Sequence, residues 1–252
     1  MEGDLAEALR VVLRVVDPPV LTVAGRTDTG VHARGQVCHV DVDRALLQGL
    51  PGRSSRSPQD SLVHRLAGVL GPDLVVRTAR VVPPGFDARF SAVRRRYAYR
   101  VADTPHRPDP LRRHDVAWVR GPLDVDAMAR ATPPLLGEHD FLAYCRPRPQ
   151  GSTTRTLIRL DCARDPTGLV TVRAEADAFC HHQVRSLAGA LCAVGAGRRD
   201  PDWPGRVLAA RRRDGAVPVA AAHGLTLEAV DYPPDERCEE QAERARRRRD
   251  DG

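Results

Sequence analysis

The sequence of 252 residues is informative first through what it does not contain. No uninterrupted apolar run reaches about 18 residues, which excludes an ordinary membrane-spanning helix. The chain does not open on a basic and then apolar signal segment, so we expect a cytoplasmic protein. The six cysteines never fall at Cys-x-x-Cys spacing. This scatter argues against a zinc ribbon or a disulfide framework and predicts reduced thiols.

Lysine is also absent, so all 39 cationic side chains are arginines, set against 33 acidic residues. The net charge is +6 and the isoelectric point is near 9.4. The planar guanidinium matches phosphate oxygens and stacks on bases, and nucleic acid is a natural partner for a basic protein. Because arginines also occupy solvated surfaces, and a GC-rich genome favours arginine, the charge alone indicates this class of partner only weakly.

Apolar periodicity divides the chain into two similar series of elements. The first series predicts the order α-β-β-α-β. Its members are a helix over 4–16, strands over 21–24 and 36–42, a helix over 60–70 and a strand over 74–82. The second series predicts the order β-α-β-β-α-β. Its members are a strand over 94–102, a helix capped by Asp124, a hairpin of strands over 154–163 and 168–176, a helix over 184–194 and a strand over 225–230.

The second order is that of the split βαββαβ unit, and the first is the same unit without its opening strand. The predicted fold class is therefore α+β. We expect two such halves, residues 1–90 with the first strand missing and residues 91–232, to share a central and mostly antiparallel sheet. Helices would cover one face of this sheet, and a polar cleft would lie on the other.

Residues 233–252 have a different composition, dominated by glutamate and arginine. Glu240 and Arg244, like Glu243 and Arg247, stand four residues apart and could pair on a helix. An exposed pair of this kind is worth only about 0.3–0.5 kcal/mol. We therefore predict a charged and disordered tail.

The segment AGRTDTGVHA, residues 24–33, follows a predicted strand and allows three interpretations of Asp28. Aspartate and glycine are common in turns, so a purely structural role is possible. Asp28-Thr29-Gly30 also spells the aspartic-protease motif, but that chemistry needs two aspartates sharing a proton, and the chain has no second copy. Arg26 nearby would keep Asp28 ionised, which favours the third interpretation, a catalytic carboxylate in a nucleic-acid cleft.

Further segments carry a resemblance to a known family. In chain order the matching segments are GRTDTGVHA (25–33), FDARFS (86–91), RRRYAY (94–99), GEHDF (137–141), AFCHHQVR (178–185) and HGL (223–225). Together they resemble the TruA-type tRNA pseudouridine synthases over residues 5–233. The first segment is highly specific, and the ordered set makes coincidence remote.

The resemblance implies a fold, an activity and a mode of assembly. Members of this family isomerise uridine to pseudouridine at nucleotide positions 38, 39 and 40 of the tRNA anticodon stem-loop. They use no metal and no organic cofactor, and they work as homodimers that hold the tRNA. The implied fold is the pseudouridine synthase fold, in which two RRM-like halves surround a central cleft.

The resemblance also implies roles for individual residues. The catalytic aspartate, which acts as a nucleophile, falls on Asp28, and the arginine that forms an ion pair with it falls on Arg185. The tyrosine that packs on the target base falls on Tyr97. Arg26 matches an arginine that helps to hold the flipped-out nucleotide. Whether the carboxylate attacks C1′ or C6, or assists a glycal route, stays open.

Two further groups of residues suggest RNA binding and metal binding, but less specifically. Arg94, Arg95 and Arg96 form a basic strand that would bind RNA phosphates if it faced the cleft, but could equally be a solvated edge. The adjacent His181 and His182 suggest a metal site, which we reject because neighbouring ligands on one helix point apart.

The sequence departs from the family at two places, and one alternative function remains. The family's usual opening segment, of the form YDGTxFxGWQ, has no counterpart here, and Gln183 stands where methionine is usual. The alternative is a noncatalytic tRNA-binding protein or RNA chaperone on the same fold. Such a protein would need the arginines but not Asp28.

Overall fold

The computed structural model describes residues 1–103, 109–146, 152–213 and 215–250. It combines helices and strands, as the apolar patterns predicted. The α-helices are α1 (Glu2–Leu13), α2 (Arg44–Gly49), α3 (Pro58–Ala67), α4 (Val125–Arg130), α5 (Gln183–Gly195), α6 (Trp203–Ala209) and α7 (Cys238–Asp250). The strands are β1 (Thr22–Val23), β2 (His32–Ala33), β3 (Cys38–His39), β4 (Arg94–Ala102), β5 (Ala117–Trp118), β6 (Gly137–Asp140), β7 (Thr154–Arg164), β8 (Val170–Ala176) and β9 (Leu225–Asp231).

The main sheet is mixed and largely antiparallel. Its strands lie in the order β2-β9-β4-β8-β7-β6, with β5 paired to β4. The β2–β9 and β4–β5 pairs are parallel, and the other pairs in this sheet are antiparallel. Strands β1 and β3 form a separate antiparallel pair. The sheet is therefore built mostly from the second half of the chain, and the first half adds to it through the two residues of β2.

Several elements of the second half agree with their predicted positions. Strand β4 spans the predicted residues, and β7 and β8 form the predicted hairpin. The carboxylate of Asp124 accepts a hydrogen bond from the Ala127 backbone N–H at 2.9 Å, which confirms the cap of α4. These elements were predictable because alternation, helical spacing and caps are all local signals.

Helix α5 packs its apolar stripe on the centre of the sheet. Leu187 and Leu191 are fully buried and share one core cluster with Tyr99 and Val101 of β4. Burial of a leucine side chain is worth about 1.5–3 kcal/mol, so this contact fixes the helix against the sheet. The same packing fixes the first turn of α5, which carries Arg185.

The first half departs from the predicted strands in two places. The strand expected over 36–42 is reduced to Cys38–His39, and residues 74–82 form no strand. In the latter segment Val76 packs against the cluster formed by α1 and α3, whereas Val75 and Val81 are exposed. The alternation of apolar and polar residues in this segment resembles that of a half-buried strand. The segment instead lies against helices, and among the described residues no strand pairs with it.

The expectation that the tail is disordered is wrong for residues 238–250, which form α7; residues 251–252 lie outside the described residues. Cys238 and Ala242 are fully buried in the structure, and Cys238 joins a small cluster with Phe86 and Ala88. Tertiary burial, which residue spacing in the tail does not reveal, stabilises the helix. Among the described residues, no helix has both the length and the apolar character needed to cross a membrane.

Gly189 allows α5 to approach the chain segment that follows α6. A Cβ atom at Gly189 would lie 2.0 Å from the carbonyl oxygen of Pro218. We expect Gly189→Ala to cost about 1–3 kcal/mol through overpacking and to lower the Tm by roughly 2–10 °C in a thermal unfolding experiment. Gly3→Ala in α1 is the matched control, because its Cβ would meet no atom within 4 Å. Equal Tm values for the two variants would contradict this packing.

Candidate active site

Asp28 lies in a tight turn that connects β1 to β2. The Val31 N–H donates to the Asp28 carbonyl oxygen at 3.0 Å, and Gly30 adopts a positive φ of 83°, which favours glycine. Asp28 is therefore a turn residue, as the first interpretation held. Its side chain also lines a large cleft, so the turn serves to present a carboxylate.

The turn is fixed at both ends to other parts of the fold. Before it, the Ala24 N–H donates to the Val37 carbonyl at 2.8 Å. After it, β2 pairs with β9, and the Arg34 N–H donates to the Leu227 carbonyl at 2.8 Å. These backbone bonds bring a loop of the first half against the sheet of the second half.

Arg185 meets Asp28 across the cleft. Its Nη1 donates to Asp28 Oδ2 at 2.8 Å, and its Nε donates to the Ala220 carbonyl at 2.8 Å. The second bond orients the guanidinium, so the contact does not depend on a freely moving side chain. Asp28 and Arg185 expose only 19% and 16% of their side chains, a setting in which an ion pair is stronger than at an open surface.

Two histidines also contact the carboxylate. The Nε2 of His181 lies 3.2 Å from Asp28 Oδ1, and the Nε2 of His182 lies 3.5 Å from Oδ2. The expectation that they point apart on one helix is wrong. His181 precedes α5 and His182 caps it with a positive φ of 68°, so both rings face Asp28. Their position three and four residues before Arg185 was the available signal, and sequence reasoning gave them no role.

The same three side chains have the composition of a metal site. The ligand atoms of Asp28, His181 and His182 lie within 4.8 Å of one another, and such a set suits a transition metal. The guanidinium of Arg185 contacts the same carboxylate, and its positive charge opposes a second cation. Burial lowers the pKa of His182, with Asp28 acting in the opposite direction. The expectation that the site uses no metal stays a prediction.

Tyr97 forms part of the wall of the cleft. Its ring meets the Phe179 ring edge-on, with centroids 5.3 Å apart and planes at 88°. Such aromatic contacts fix the plane of a ring. Burial raises the pKa of Tyr97 to about 12, so its hydroxyl stays neutral at physiological pH. The residue therefore offers an uncharged, oriented aromatic surface beside Asp28.

The cleft has a volume of about 1070 Å³ and opens on the face of the sheet that carries α5. Tyr97 lines it, whereas Tyr99, on the same face of β4, packs against α5. The prediction that helices and cleft occupy opposite faces is therefore wrong. Because α5 begins only at Gln183, its first turn forms one end of the cleft and does not cover it.

Comparison with known proteins identifies the kind of enzyme to which this cleft belongs. A family model described as tRNA pseudouridine synthase matches residues 131–233. The tRNA pseudouridine synthase A of Streptomyces avermitilis is 52% identical over 250 residues, covering 99% of this chain and 85% of the relative. The chain belongs to the tRNA pseudouridine synthase A family. It is accordingly an isomerase.

Other relatives support the same assignment. The tRNA pseudouridine synthase A of Frankia casuarinae is 53% identical over 245 residues, which cover 96% of this chain and 84% of the relative. That of Mycobacterium leprae is 45% identical over 242 residues, or 94% of this chain and 83% of the relative. The resemblance of the six segments is thus confirmed at the level of the family, and these matches extend over nearly the whole chain.

The predicted basic residues of this pseudouridine synthase occupy different environments. Arg26 lines the cleft and exposes 79% of its side chain, with Glu2 3.9 Å away. Arg95 also lines the cleft, but it donates to three carbonyl oxygens, at Asp177, Ala24 and Arg89. Burial lowers the pKa of Arg95. Arg95 is thereby engaged in holding the turn before Asp28 to β4.

Arg94 and Arg96 point to the opposite face of the sheet. Arg94 pairs with Glu175 at 3.2 Å, and Arg96 pairs with Asp231 at 2.7 Å. Of the two interpretations left open for this strand, a position facing the cleft therefore does not apply to these two side chains, because successive residues of a strand alternate between faces. Their contact with RNA stays a prediction, and it would have to involve the face away from Asp28.

Two cysteines of the synthase lie together beside the site. The side chains of Cys145 and Cys180 meet, which brings the segment after β6 against the segment before α5. The expectation that the cysteines are reduced stays a prediction for this pair, and Cys38, Cys162, Cys192 and Cys238 are free. The pair could not be recognised from spacing, since 35 residues separate its members.

Proposed function

We propose that this chain isomerises uridine to pseudouridine at positions 38, 39 and 40 of the tRNA anticodon stem-loop. The observation that carries the proposal is the Asp28–Arg185 ion pair at 2.8 Å within a cleft that Tyr97 also lines. The names of the relatives support tRNA as the substrate. The geometry adds an oriented anion next to a surface on which a base can stack.

The target uridine must leave its stack before it can reach Asp28. Extruding a base costs a few kcal/mol, which contacts between arginines and phosphates offset. The cleft has room for a nucleotide, and Arg26 stands exposed at its lining. In the proposed complex Tyr97 packs on the face of the extruded uracil, and Arg26 holds the nucleotide in its flipped position.

The reaction rearranges bonds without oxidation or reduction. The C1′–N1 bond breaks, a C1′–C5 bond forms, C5 loses its proton and N1 gains one, so the product is an isomer of the substrate. Asp28 acts as an anionic nucleophile that divides the change into easier steps. Attack at C1′, attack at C6 and assistance of a glycal route all use the same carboxylate. None of these routes requires an organic cofactor or a metal.

Arg185 and the histidines keep the nucleophile in place. Arg185 holds the Asp28 carboxylate through its hydrogen bond to Oδ2 at 2.8 Å. His181 and His182 approach the same carboxylate from the neighbouring turn, at 3.2 and 3.5 Å. We assign these three residues to positioning, and Asp28 to chemistry.

The proposal includes the assembly of the protein. Residues 1–90 and 91–232 are two RRM-like halves, the first without an opening strand, and the enzyme is a cytoplasmic homodimer that binds tRNA. The order β9-β4-β8-β7 within the second half, with α4 and α5 as its crossovers, supports the RRM-like assignment for that part. The charge of +6 supports a nucleic-acid partner.

The role of Asp28 has a direct test. Asp28→Ala should abolish pseudouridine formation, by at least about 10³-fold in kcat, while tRNA affinity changes only a few-fold, because a nucleophile contributes to chemistry more than to binding. Pseudouridine mapping in the anticodon arm and filter binding measure the two effects. Asp200→Ala removes a carboxylate from a surface ion pair with Arg206 and is the matched control. Wild-type activity in Asp28→Ala would rule out Asp28 as the nucleophile.

Two substitutions separate the role of the Tyr97 ring from that of its hydroxyl. If the ring packs on the uracil, Tyr97→Phe should keep kcat/KM within about 5-fold of wild type, whereas Tyr97→Ala should lose about 10²-fold or more. Single-turnover pseudouridine formation, with Tm values to check folding, measures this difference. Equal losses in both variants would show that the hydroxyl, not the ring face, matters.

A further inference from the structure

Helix α7 is docked firmly against the segment that leads into β4. Cys238 and Ala242 are fully buried, and the Ser91 hydroxyl donates to the Cys238 carbonyl at 2.8 Å. One helical turn beyond Ala242, the Arg246 guanidinium contacts Asp87 at 2.8 Å and lies 5.2 Å from the Phe90 ring centroid. These three positions are four residues apart and form one anchoring face.

A second face of α7 borders the catalytic cleft. Gln241, Arg244 and Ala245, spaced as neighbours on a helix surface, line the same cleft as Asp28. Arg244 is exposed, and in the part of the chain that the structure describes it forms no ion pair, including the one predicted with Glu240. Because the anchoring face fixes α7, the guanidinium of Arg244 on the second face has a fixed place on the cleft wall.

The charge of the cleft indicates what this guanidinium would bind. Among the described residues, seven arginines line the cleft against four acidic residues, and Arg244 is one of four exposed arginines there, with Arg26, Arg89 and Arg146. An unpaired arginine at the mouth of a positive cleft is suited to a phosphodiester oxygen. Since a base that reaches Asp28 brings its own strand along the cleft wall, the phosphates of that strand would pass within the region that α7 borders.

We propose that α7 is a second wall of the substrate site, in which Arg244 binds a backbone phosphate of the RNA strand whose uridine reaches Asp28. This inference rests on the proposed function and extends it to a segment outside both halves. The contact positions RNA and takes no part in the isomerisation.

The test compares two charge reversals on the same helix. Arg244→Glu and Arg247→Glu change the net charge equally, but Arg247, also exposed, does not line the cleft. With unmodified tRNA at fixed salt, we expect Arg244→Glu to raise Kd about 10-fold and to reduce the slope of log K against log salt by about one. We expect Arg247→Glu to raise Kd no more than about 2-fold and to keep the wild-type kcat at saturating tRNA, and both variants to keep the wild-type Tm.

The possible results distinguish a failure of the Arg244 contact from a failure of the proposed pseudouridine synthase function. Equal losses of affinity in the two variants would overturn it, since they would reflect general electrostatics. A loss of kcat without a change in Kd for Arg244→Glu would also overturn it, since the helix would then act on chemistry. Failure of the wild-type protein to form pseudouridine in tRNA would refute the proposed function, while the binding measurement would still decide whether Arg244 contacts RNA.

Discussion

The ion pair between Asp28 and Arg185 is the contact on which the site depends. The two residues are 157 positions apart, and each reaches the cleft through a different part of the fold. Asp28 arrives on a turn that β2 fastens to β9, and Arg185 arrives on the first turn of α5. The pairing of the first half with the sheet, the packing of α5 and the bond from Arg185 to Ala220 all serve to keep these charges in contact.

The environment of the ion pair explains how the Asp28 carboxylate can be accessible to a substrate and yet held in one orientation. A buried anion without partners would be costly, and an anion at an open surface would be poorly oriented. Asp28 avoids both because Arg185 neutralises its charge and the two histidines lie within 3.5 Å, while the cleft leaves it accessible. The oriented ring of Tyr97 adds a flat aromatic surface to the wall of the same cleft.

Local patterns predicted the elements of the second half well, since strand β4, the β7–β8 hairpin and the stripe of α5 depend on alternation and periodicity. They failed where structure depends on distant partners. Residues 74–82 alternate like a strand but lie against helices, and α7 forms because Cys238 finds a buried site near Phe86. The pairing of Asp28 with Arg185 came from the family resemblance and not from spacing, and the positive φ of His182, which turns both histidines toward Asp28, could not be predicted from either.

A double-mutant cycle on the ion pair tests the account most directly. Values of kcat/KM for pseudouridine formation are measured for wild type, Asp28→Asn, Arg185→Gln and the double variant. If Arg185 acts through Asp28, the double variant loses about as much activity as Asp28→Asn alone, because the arginine has nothing left to position. If the two losses multiply instead, the residues work independently, and the contact between them is not the basis of the site.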